Sequence, residues 1–317
     1  FDPIELRRKN LVTNEEMPYK NAVGMNYDSG KYEKSLDMVM GLNDWEGFDA
    51  RKAEAKSRGK ILGRGVAHYV ESSIGSPVEQ AELHVCVEED RLDLVIGTQP
   101  SGQGHETSFA QVASDYLGLP VEQINVIVGD TDIVKVGGGS HSGRSMRMAG
   151  TVIVKASETM IERGKRIAEH VFEASLEDIE FKDGRFAIKG TDRRLNLLEL
   201  GVEAAKIDLP EDFSDGLSVI EENEMHTPVF PNGCHICEIE IDEDTGAPLI
   251  ARYAAVDDVG RAINPLIVDG QTHGGIVQGV GQAMWEECVF DDDGQPLCGS
   301  FMDYGMPRAD HFPHFET

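Results

Sequence analysis

A glycine-rich junction, GTQPSGQGHETS at residues 97–108, separates a strand-like segment from a helix-like segment. The strand-like segment, LDLVI at 92–96, places apolar side chains on one face at every second position. The helix-like segment, 109–117, has apolar residues at helical spacing and is followed by Gly118, a residue type that commonly ends helices. The glycines of the junction allow three explanations: a tight turn, close packing, or a ligand that lies on bare backbone.

The rest of the chain mixes hairpin patterns with helical patterns, which predicts an α+β fold with mixed or antiparallel sheets and packed helices. A long helix is expected over 149–171, and a strand over 124–128. The predicted hairpins span 82–96, 179–190 with its turn at Asp183-Gly184, and 236–256.

Composition shifts along the chain predict three consecutive parts. Residues 1–60 are polar and irregular, with one helix-like piece over about 29–58, and are interpreted as a linker or N-terminal helical segment. A first subdomain is expected over 61–216 and a second over 217–317, since the boundary region is acidic and contains Pro and Gly. Both ends of the sequence look interrupted, so we expect a fragment or a subunit of a larger protein.

Charge and cysteine content exclude several functional classes. The formal net charge of -28 over 317 residues opposes nonspecific binding to nucleic acid or to anionic membranes. No apolar run approaches the roughly 18 residues that a membrane span needs. Five cysteines, an odd number in a chain of this length, do not suggest a disulfide scaffold. A reducing compartment, the cytoplasm, is therefore expected.

Three segments share one sequence pattern, a Gly- or Ser-rich loop followed by helical spacing of apolar residues. They lie at 102–105, 137–145 and 273–275. The first turn of a helix presents unpaired N–H groups and a partial positive charge, and glycine lets an anion approach them closely. The second loop adds Ser and Arg donors to this set. Each loop alone is also typical of an ordinary turn, and Ser145 of an ordinary helix N-cap. Neither a P-loop motif nor a dinucleotide-binding GxGxxG motif in a strand-to-helix context occurs.

Four stretches together resemble the molybdenum-binding subunit of the xanthine dehydrogenase, aldehyde oxidase and carbon monoxide dehydrogenase family. They are GTQPSGQGHETSFAQVASDYLG, GDTDIVKVGGGSHSGRSMRMAG, NGCHICEIEIDEDTG and VDDVGRAINPLIVDGQTHGGIVQGVGQAMWEE. They follow the family's order, and the resemblance extends over nearly the whole chain.

The resemblance implies a molybdopterin cofactor that carries molybdenum, in bacteria usually as the cytosine dinucleotide, bound by both subdomains. Its first contact loop would be Gly102, Gln103, Gly104 and His105, although His105 is equally consistent with an ordinary first-turn residue. The other implied contacts are Ser140, Ser142, Gly143, Arg144 and Ser145 in the second loop, and Gln278 with Gly279 in the third. A Gln amide both donates and accepts, which suits the mixed edge of a pterin.

The implied chemistry is hydroxylation of a carbon centre, or oxidation of carbon monoxide, with water as the oxygen source. Electrons would leave through 2Fe-2S clusters to FAD, on an iron–sulfur subunit and a flavin subunit. The family's catalytic Glu lies in a GVGE-type motif beyond MPRAD, and the sequence ends at Thr317 before it. A GGFGG-type loop and an active-site loop that precede ELRRKN in the family are also absent. We therefore expect the remaining part of the molybdenum subunit as a partner, no turnover by this chain alone, and an undecided substrate class.

Other clusters of reactive residues have simpler explanations. Cys234 and Cys237 resemble half of a zinc site, but a strand pattern at this position would point them to opposite faces. Asp257 and Asp258 are interpreted as structural turn residues in preference to an acid–base pair. Asp130 and Asp132 are interpreted first as turn residues and second as residues that orient a ligand. The acidic clusters 242–244 and 291–293 are expected in hairpin turns, since the EF-hand spacing is absent. The alternative for the chain as a whole is a non-catalytic scaffold whose glycine-rich loops are only turns.

Overall fold

The computed structural model describes residues 2–317. Its α-helices are α1 (Pro3–Arg8), α2 (Tyr32–Leu42), α3 (Phe48–Ser57), α4 (His105–Leu117), α5 (Ser145–Phe172), α6 (Leu197–Ala204) and α7 (Pro265–Met284). Its strands are β1 (Tyr19–Lys20), β2 (Asn26–Tyr27), β3 (Lys60–Val70), β4 (Val78–Cys86), β5 (Arg91–Ile96), β6 (Ile124–Ile127), β7 (Ile179–Lys182), β8 (Arg185–Ile188), β9 (Arg194–Asn196), β10 (Ser218–Glu224), β11 (Asn232–Asp242), β12 (Pro248–Asp258) and β13 (Phe315–Glu316). This mixture of helices and mainly antiparallel sheets confirms the predicted α+β class.

The chain forms two compact units that interleave in sequence. One unit contains residues 72–228, and the other is built from 1–71 together with 229–317. This division differs from the predicted succession of 1–60, 61–216 and 217–317. The difference has a simple cause: β3 pairs with β11, which lies more than 160 residues later in the chain, and such a pairing leaves no local composition signal.

The central unit, residues 72–228, is a four-stranded sheet in the order β10-β4-β5-β6 covered by helices. The β4–β5 hairpin forms as predicted, and β6 then joins β5 in parallel. α5 packs against α4, β4 and β10 through one buried stripe. The buried positions of that stripe include Ala149, Ile153, Ala156, Met160, Gly164 and Ile167, as the helical spacing predicts.

A smaller sheet, β7-β8-β9, completes this unit and packs on α5. The predicted turn at Asp183-Gly184 is confirmed, with both residues at positive φ, 49° and 72°. Gly184 also lies against Gly118, the C-cap of α4: a Cβ added to Gly118 would lie 2.3 Å from the Gly184 Cα. Close backbone packing therefore holds the small sheet to the end of α4.

The unit built from the two chain ends has the sheet β13-β12-β11-β3 with helices on it. The β11–β12 hairpin confirms the prediction for 236–256. α2 packs on β11 and β12, and α3 packs on β3. One core cluster of this unit consists of Ile4, Leu36, Val39, Cys234, Ile236 and Ala254.

Two predictions for helices in this unit are wrong in detail. The single helix expected near 29–58 is two helices, α2 and α3, because Asp44 adopts a left-handed conformation with φ 52° between them. The third glycine-opened helix begins at Pro265, so residues 273–275 lie inside it. Asn264 and Pro265 are strong N-cap and N1 residues, and they outweigh the glycines as the start signal. Within residues 2–317, no helix combines the length and the apolar character needed to cross a membrane.

The Gly118–Gly184 contact yields a test of the fold. Gly118→Ala adds a Cβ 2.3 Å from backbone at a residue with φ 68°, and we expect it to lower the free energy of unfolding by about 2–4 kcal/mol. Gly190→Ala is the matched control, because Gly190 has φ 75° with nothing within 4 Å of an added Cβ; it should cost only about 1 kcal/mol. Urea unfolding of both variants measures the difference, and equal costs would contradict the packing role.

Candidate functional site

The first glycine-rich loop ends in a helix start that no side chain caps. Gly104 is the N-cap of α4 in a left-handed conformation, φ 67° and ψ 33°, and no side-chain hydrogen bond satisfies the first turn. α6 shows the contrast, since the Asn196 side chain accepts from the amide of Glu199 at its start. The first-turn amides of α4 are therefore without a side-chain acceptor.

The second glycine-rich loop ends in the same way. α5 begins at Ser145, its N-cap position is Arg144, and no side-chain hydrogen bond caps it. Ser145 is thus the first helical residue and not the N-cap that its residue type suggested. Ser142 and Gly143, just before the helix, both have positive φ, 51° and 63°, and both are exposed. This geometry presents backbone and a hydroxyl to the surface at the helix start.

The two loops meet inside the central unit. A Cβ added to Gly97, at the end of β5, would lie 2.2 Å from the Cα of Gly137, and the reverse substitution would bring the Cβ to 2.3 Å. His105 Nδ1, on α4, lies 3.4 Å from the Ser140 Oγ. Only glycine at both 97 and 137 permits this approach, so close packing explains these two glycines.

A fully buried carboxylate ties both loops to the sheet. Glu79 on β4 is 0% exposed. Its carboxylate accepts hydrogen bonds from the amide of Gly97 at 3.1 Å and from the Thr98 hydroxyl at 2.6 Å, both in the first loop. It also accepts from the amide of Gly138 in the second loop at 3.2 Å and pairs with Arg144 Nη1 at 2.9 Å.

Glu79 was absent from the sequence predictions, although a signal for it exists. It occupies the same face of β4 as Ala81 and Leu83, both of which are buried. A carboxylate on an apolar strand face must be paired or hydrogen-bonded, because an isolated buried charge is very costly. The alternation that identified the strand could therefore also have identified Glu79.

Arg144 lies in the interior of the loop network, 1% exposed. Its guanidinium donates to the carbonyl oxygens of Ser76 at 3.0 Å, Gly139 at 2.6 Å and Val78 at 3.1 Å, besides its ion pair with Glu79. These bonds commit the fork to protein acceptors. The family resemblance implies a cofactor contact for Arg144, and in the structure its guanidinium holds the loop that precedes α5.

His105 is buried, and its ring stacks on Phe109 with centroids 4.7 Å apart and an interplanar angle of 20°. Burial lowers the pKa of His105, and the hydrogen bond between Nδ1 and the Thr98 carbonyl opposes that shift. The side chain is thus a neutral packing group of the first loop. The His105 ring packs beneath the exposed surface of the loop. Gln103 is half-buried, and its Oε1 accepts from the Ser101 amide at 2.5 Å.

The third predicted contact, Gln278 with Gly279, lies in the interior of α7 and not at its start. The N-terminus of α7 is occupied, because the Asn264 side chain accepts from the Ile267 amide at 3.1 Å. Gln278 and Gly279 are both exposed. The glycines at 270, 274, 275 and 279 would meet nothing within 4 Å if they carried a Cβ. α7 therefore offers an exposed glycine-rich face with the amide side chains of Gln271, Gln278 and Gln282, and the Ile267 amide in its first turn is already bonded.

Other polar residues of the same unit hold its sheet together. Asp257, at the end of β12, accepts from Tyr69 at 2.9 Å and from Thr272 at 3.0 Å, and it contacts His235 Nε2 at 2.9 Å. These bonds agree with the structural role favoured for Asp257. Cys234 is fully buried on β11, and Cys237, three residues on, is half-buried. No group of three or more potential His, Cys, Asp or Glu ligands is found anywhere in 2–317.

The buried pair yields a stability prediction. Glu79→Gln removes the negative partner and leaves the Arg144 charge buried, which should lower the free energy of unfolding by about 3–5 kcal/mol. Arg185→Gln is the control in the same unit: it breaks an Arg185–Glu199 pair whose side chains are 41% and 47% exposed, and it should cost less than about 1 kcal/mol. Urea unfolding compares the two, and a loss below about 1 kcal/mol for Glu79→Gln would refute the role of the pair.

A pH dependence follows from the buried imidazoles. Burial lowers the pKa of His105 and of His68 below 6.5 in the folded chain. Protonation therefore favours the unfolded chain, and stability should be complete above about pH 6.5 and decline as the pH falls below it. His105→Gln should flatten the decline between about pH 6.5 and 5, with His68→Gln as the comparison in the other unit. Urea midpoints across this range test the idea, and an unchanged slope in both variants would contradict it.

Comparison with known proteins identifies the family of the chain. The model of the molybdopterin cofactor-binding domain matches residues 39–313. The chain is 31% identical to the carbon monoxide dehydrogenase large chain of Hydrogenophaga pseudoflava and 32% identical to the nicotine 6-hydroxylase large subunit of Paenarthrobacter nicotinovorans. These matches cover 100% and 99% of this chain but only 41% and 40% of the relatives, so the chain spans about two fifths of their length.

Solved structures give the same result. The quinoline 2-oxidoreductase of Pseudomonas putida 86 matches with a TM-score of 0.87 and 32% identity, over 100% of this chain and 42% of that one. A Cu,Mo-containing carbon monoxide dehydrogenase matches with a TM-score of 0.86 and 31% identity, over the same shares. The chain belongs to the molybdopterin cofactor-binding domain family, as a C-terminal portion of the molybdenum-binding large subunits of the xanthine dehydrogenase, aldehyde oxidase and carbon monoxide dehydrogenase type.

Proposed function

We propose that this chain binds molybdopterin, in its cytosine dinucleotide form and carrying molybdenum, as part of a molybdenum hydroxylase. One observation carries the proposal: α4 and α5 both begin without a side-chain cap, and Glu79 and Arg144 hold the two loops that precede them in one unit. Free amides at a helix start, together with the helix dipole, attract an anion such as a pyrophosphate.

The local donor set suits a phosphate-bearing ligand in spite of the net charge of -28. The carboxylate that joins the two loops is not a free charge, because Glu79 is buried and fully bonded. What faces outward at the second loop is the backbone of Gly143, the hydroxyl of Ser142 and the half-buried Ser140. Backbone amides and hydroxyls can bind an anion without adding a charge that the surface would have to balance.

The two glutamines are proposed to contact the pterin. Gln103 follows Gly102, whose added Cβ would meet nothing within 4 Å, so the backbone there is open to a flat ligand. Gln278 stands on the exposed glycine face of α7, beside Gly279. In each unit an amide that can both donate and accept is presented next to bare backbone, which is what a ring edge of alternating donors and acceptors requires. Gly104 would complete the first contact through its amide.

When bound, the cofactor supplies the redox chemistry that hydroxylates a carbon centre with oxygen from water. The residues of this chain bind and orient the cofactor. The matched relatives are named for carbon monoxide, nicotine and 6-hydroxypseudooxynicotine, so the substrate class stays open among small carbon-centred compounds.

The proposed partners are the remaining part of the molybdenum subunit, an iron–sulfur subunit with 2Fe-2S clusters and a flavin subunit with FAD. One relative is named as a subunit of a dehydrogenase complex, which supports a multi-subunit assembly. We further propose a cytoplasmic location, which accords with the five free cysteines.

The test uses the assembled enzyme purified from its host. Gln103→Ala and Ser142→Ala should each weaken cofactor retention about five- to a hundredfold. Each substitution removes a hydrogen-bond donor and so leaves an acceptor atom of the bound cofactor unpaired. Gln123→Ala is the control, since that amide bonds the Asp90 carboxylate on the surface. Molybdenum and released cytidine nucleotide are measured per subunit. Unchanged contents in both variants would favour the alternative, a scaffold whose glycine-rich loops are only turns.

A further inference from the structure

The segment that follows α7 folds back on itself as a short two-stranded ribbon over residues 288–298. The Leu297 amide donates to the Val289 carbonyl at 2.8 Å, and the Asp291 amide donates to the Gln295 carbonyl at 3.0 Å. Between these bonds, Phe290 faces Pro296 in an antiparallel bridge. The Asp291 carboxylate caps the turn by accepting from the amides of Asp293 and Gln295. The register of the ribbon is therefore fixed.

This register places the two cysteines at the ends of the ribbon opposite each other. Paired positions alternate between hydrogen-bonded and non-hydrogen-bonded in an antiparallel ladder, and here one backbone bond joins 289 with 297 and one joins 291 with 295. Extended by one position, this register makes Cys288 and Cys298 the next non-hydrogen-bonded pair, a type of pair in which Cα atoms typically lie about 4.5 Å apart and side chains are closest. Disulfides span Cα separations of about 4.4–6.8 Å, so the backbone suits a bond between them.

The two thiols already interact and are accessible. Cys288 is exposed and Cys298 is half-buried. The Cys298 thiol raises the pKa of Cys288, because a second negative charge beside it is disfavoured and because the two thiols share a hydrogen bond. The other cysteines differ: burial raises the pKa of Cys234 to about 12 and that of Cys237 to about 11. Cys86 donates to the Asp93 carboxylate at 3.2 Å.

We propose that Cys288 and Cys298 are a reversible thiol–disulfide pair that reacts with low-molecular-weight disulfides of the glutathione class. The thiolate of exposed Cys288 attacks one sulfur of oxidised glutathione, and one reduced glutathione leaves. The Cys298 thiol then loses its proton and attacks the Cys288 sulfur, which releases a second reduced glutathione. Two protein thiols become one disulfide, and one oxidised glutathione becomes two reduced molecules.

This chemistry is compatible with a reducing compartment. Disulfides in such compartments are transient and respond to redox conditions, and exposed ones have the more oxidising potentials. The raised pKa of Cys288 keeps the thiol protonated near neutral pH, so exchange should accelerate as the pH rises. The bond would fasten the ribbon at the C-terminal end of α7. The pair stands on its own geometry and does not depend on cofactor binding.

The experiment measures disulfide formation in the folded chain. The protein is equilibrated in mixtures of oxidised and reduced glutathione, free thiols are blocked with an alkylating reagent, and the chain is cleaved after Asp. Asp291–Asp293 lie between the two cysteines, so a disulfide appears as two joined peptides that separate on reduction. We expect 288 to join 298, with a disulfide-to-dithiol ratio at least about tenfold higher than in the urea-unfolded chain.

Variants distinguish the pair from general thiol oxidation. Cys298→Ser should stop at a stable glutathione adduct on Cys288, whereas Cys237→Ser, the matched control, should leave the 288–298 bond unchanged. The rate of bond formation should increase between about pH 7 and 9. Alkylation of both cysteines at every glutathione ratio, pairing with Cys86 instead, or pairing no better than in urea would overturn the proposal.

Discussion

The buried ion pair between Glu79 and Arg144 organises the central unit. Both side chains are almost completely excluded from solvent, at 0% and 1% exposure. Their charges are tolerable only because every oxygen and nitrogen that the pair presents finds a partner in the surrounding loops. The ion pair in turn restricts the loops, because only one path of their backbone places these hydrogen-bond partners around Glu79 and Arg144. An ion pair of this kind adds little net stability, but it specifies a conformation.

Conformational specificity is what a cofactor site on glycine-rich backbone needs. Glycine loses the most conformational freedom on folding, so a loop rich in it orders only when other groups hold it. Here the Glu79 carboxylate holds the amides of Gly97 and Gly138, and the Arg144 guanidinium holds the carbonyl of Gly139. The direct backbone contact of Gly97 with Gly137 then leaves no gap between the two loops at this point. The helix starts of α4 and α5 are in this way held in place by protein groups alone.

The unit built from the chain ends solves a different problem. Its sheet is joined by β3 and β11, which are remote in sequence, and a network of Asp257, His235 and Tyr69 crosses the strands. α7 lies beside this sheet with Ile276 and Gly281 buried, and it exposes the glycines at 270, 274, 275 and 279. Beside Pro265 and Val268 this unit also has an apolar cavity of about 800 Å³. The exposed glycine face of α7, this cavity and the match to only two fifths of the relatives' length all accord with a role inside a larger subunit.

The sequence by itself determined the α+β class, the hairpins, the α5 stripe and, through motif resemblance, the family. These features rest on local periodicity, turn residues and linear motifs, all of which are written in consecutive residues. Only the tertiary structure decided that Arg144 faces inward, that Glu79 joins the two loops, that α7 begins at Pro265, and that the units interleave. The physical reason is that the orientation of a buried charged side chain depends on which acceptors the fold brings within hydrogen-bond distance. The partners of Arg144 lie up to 68 residues away in the chain. Local sequence rules list the donors of a side chain, but they do not say which acceptors will reach them.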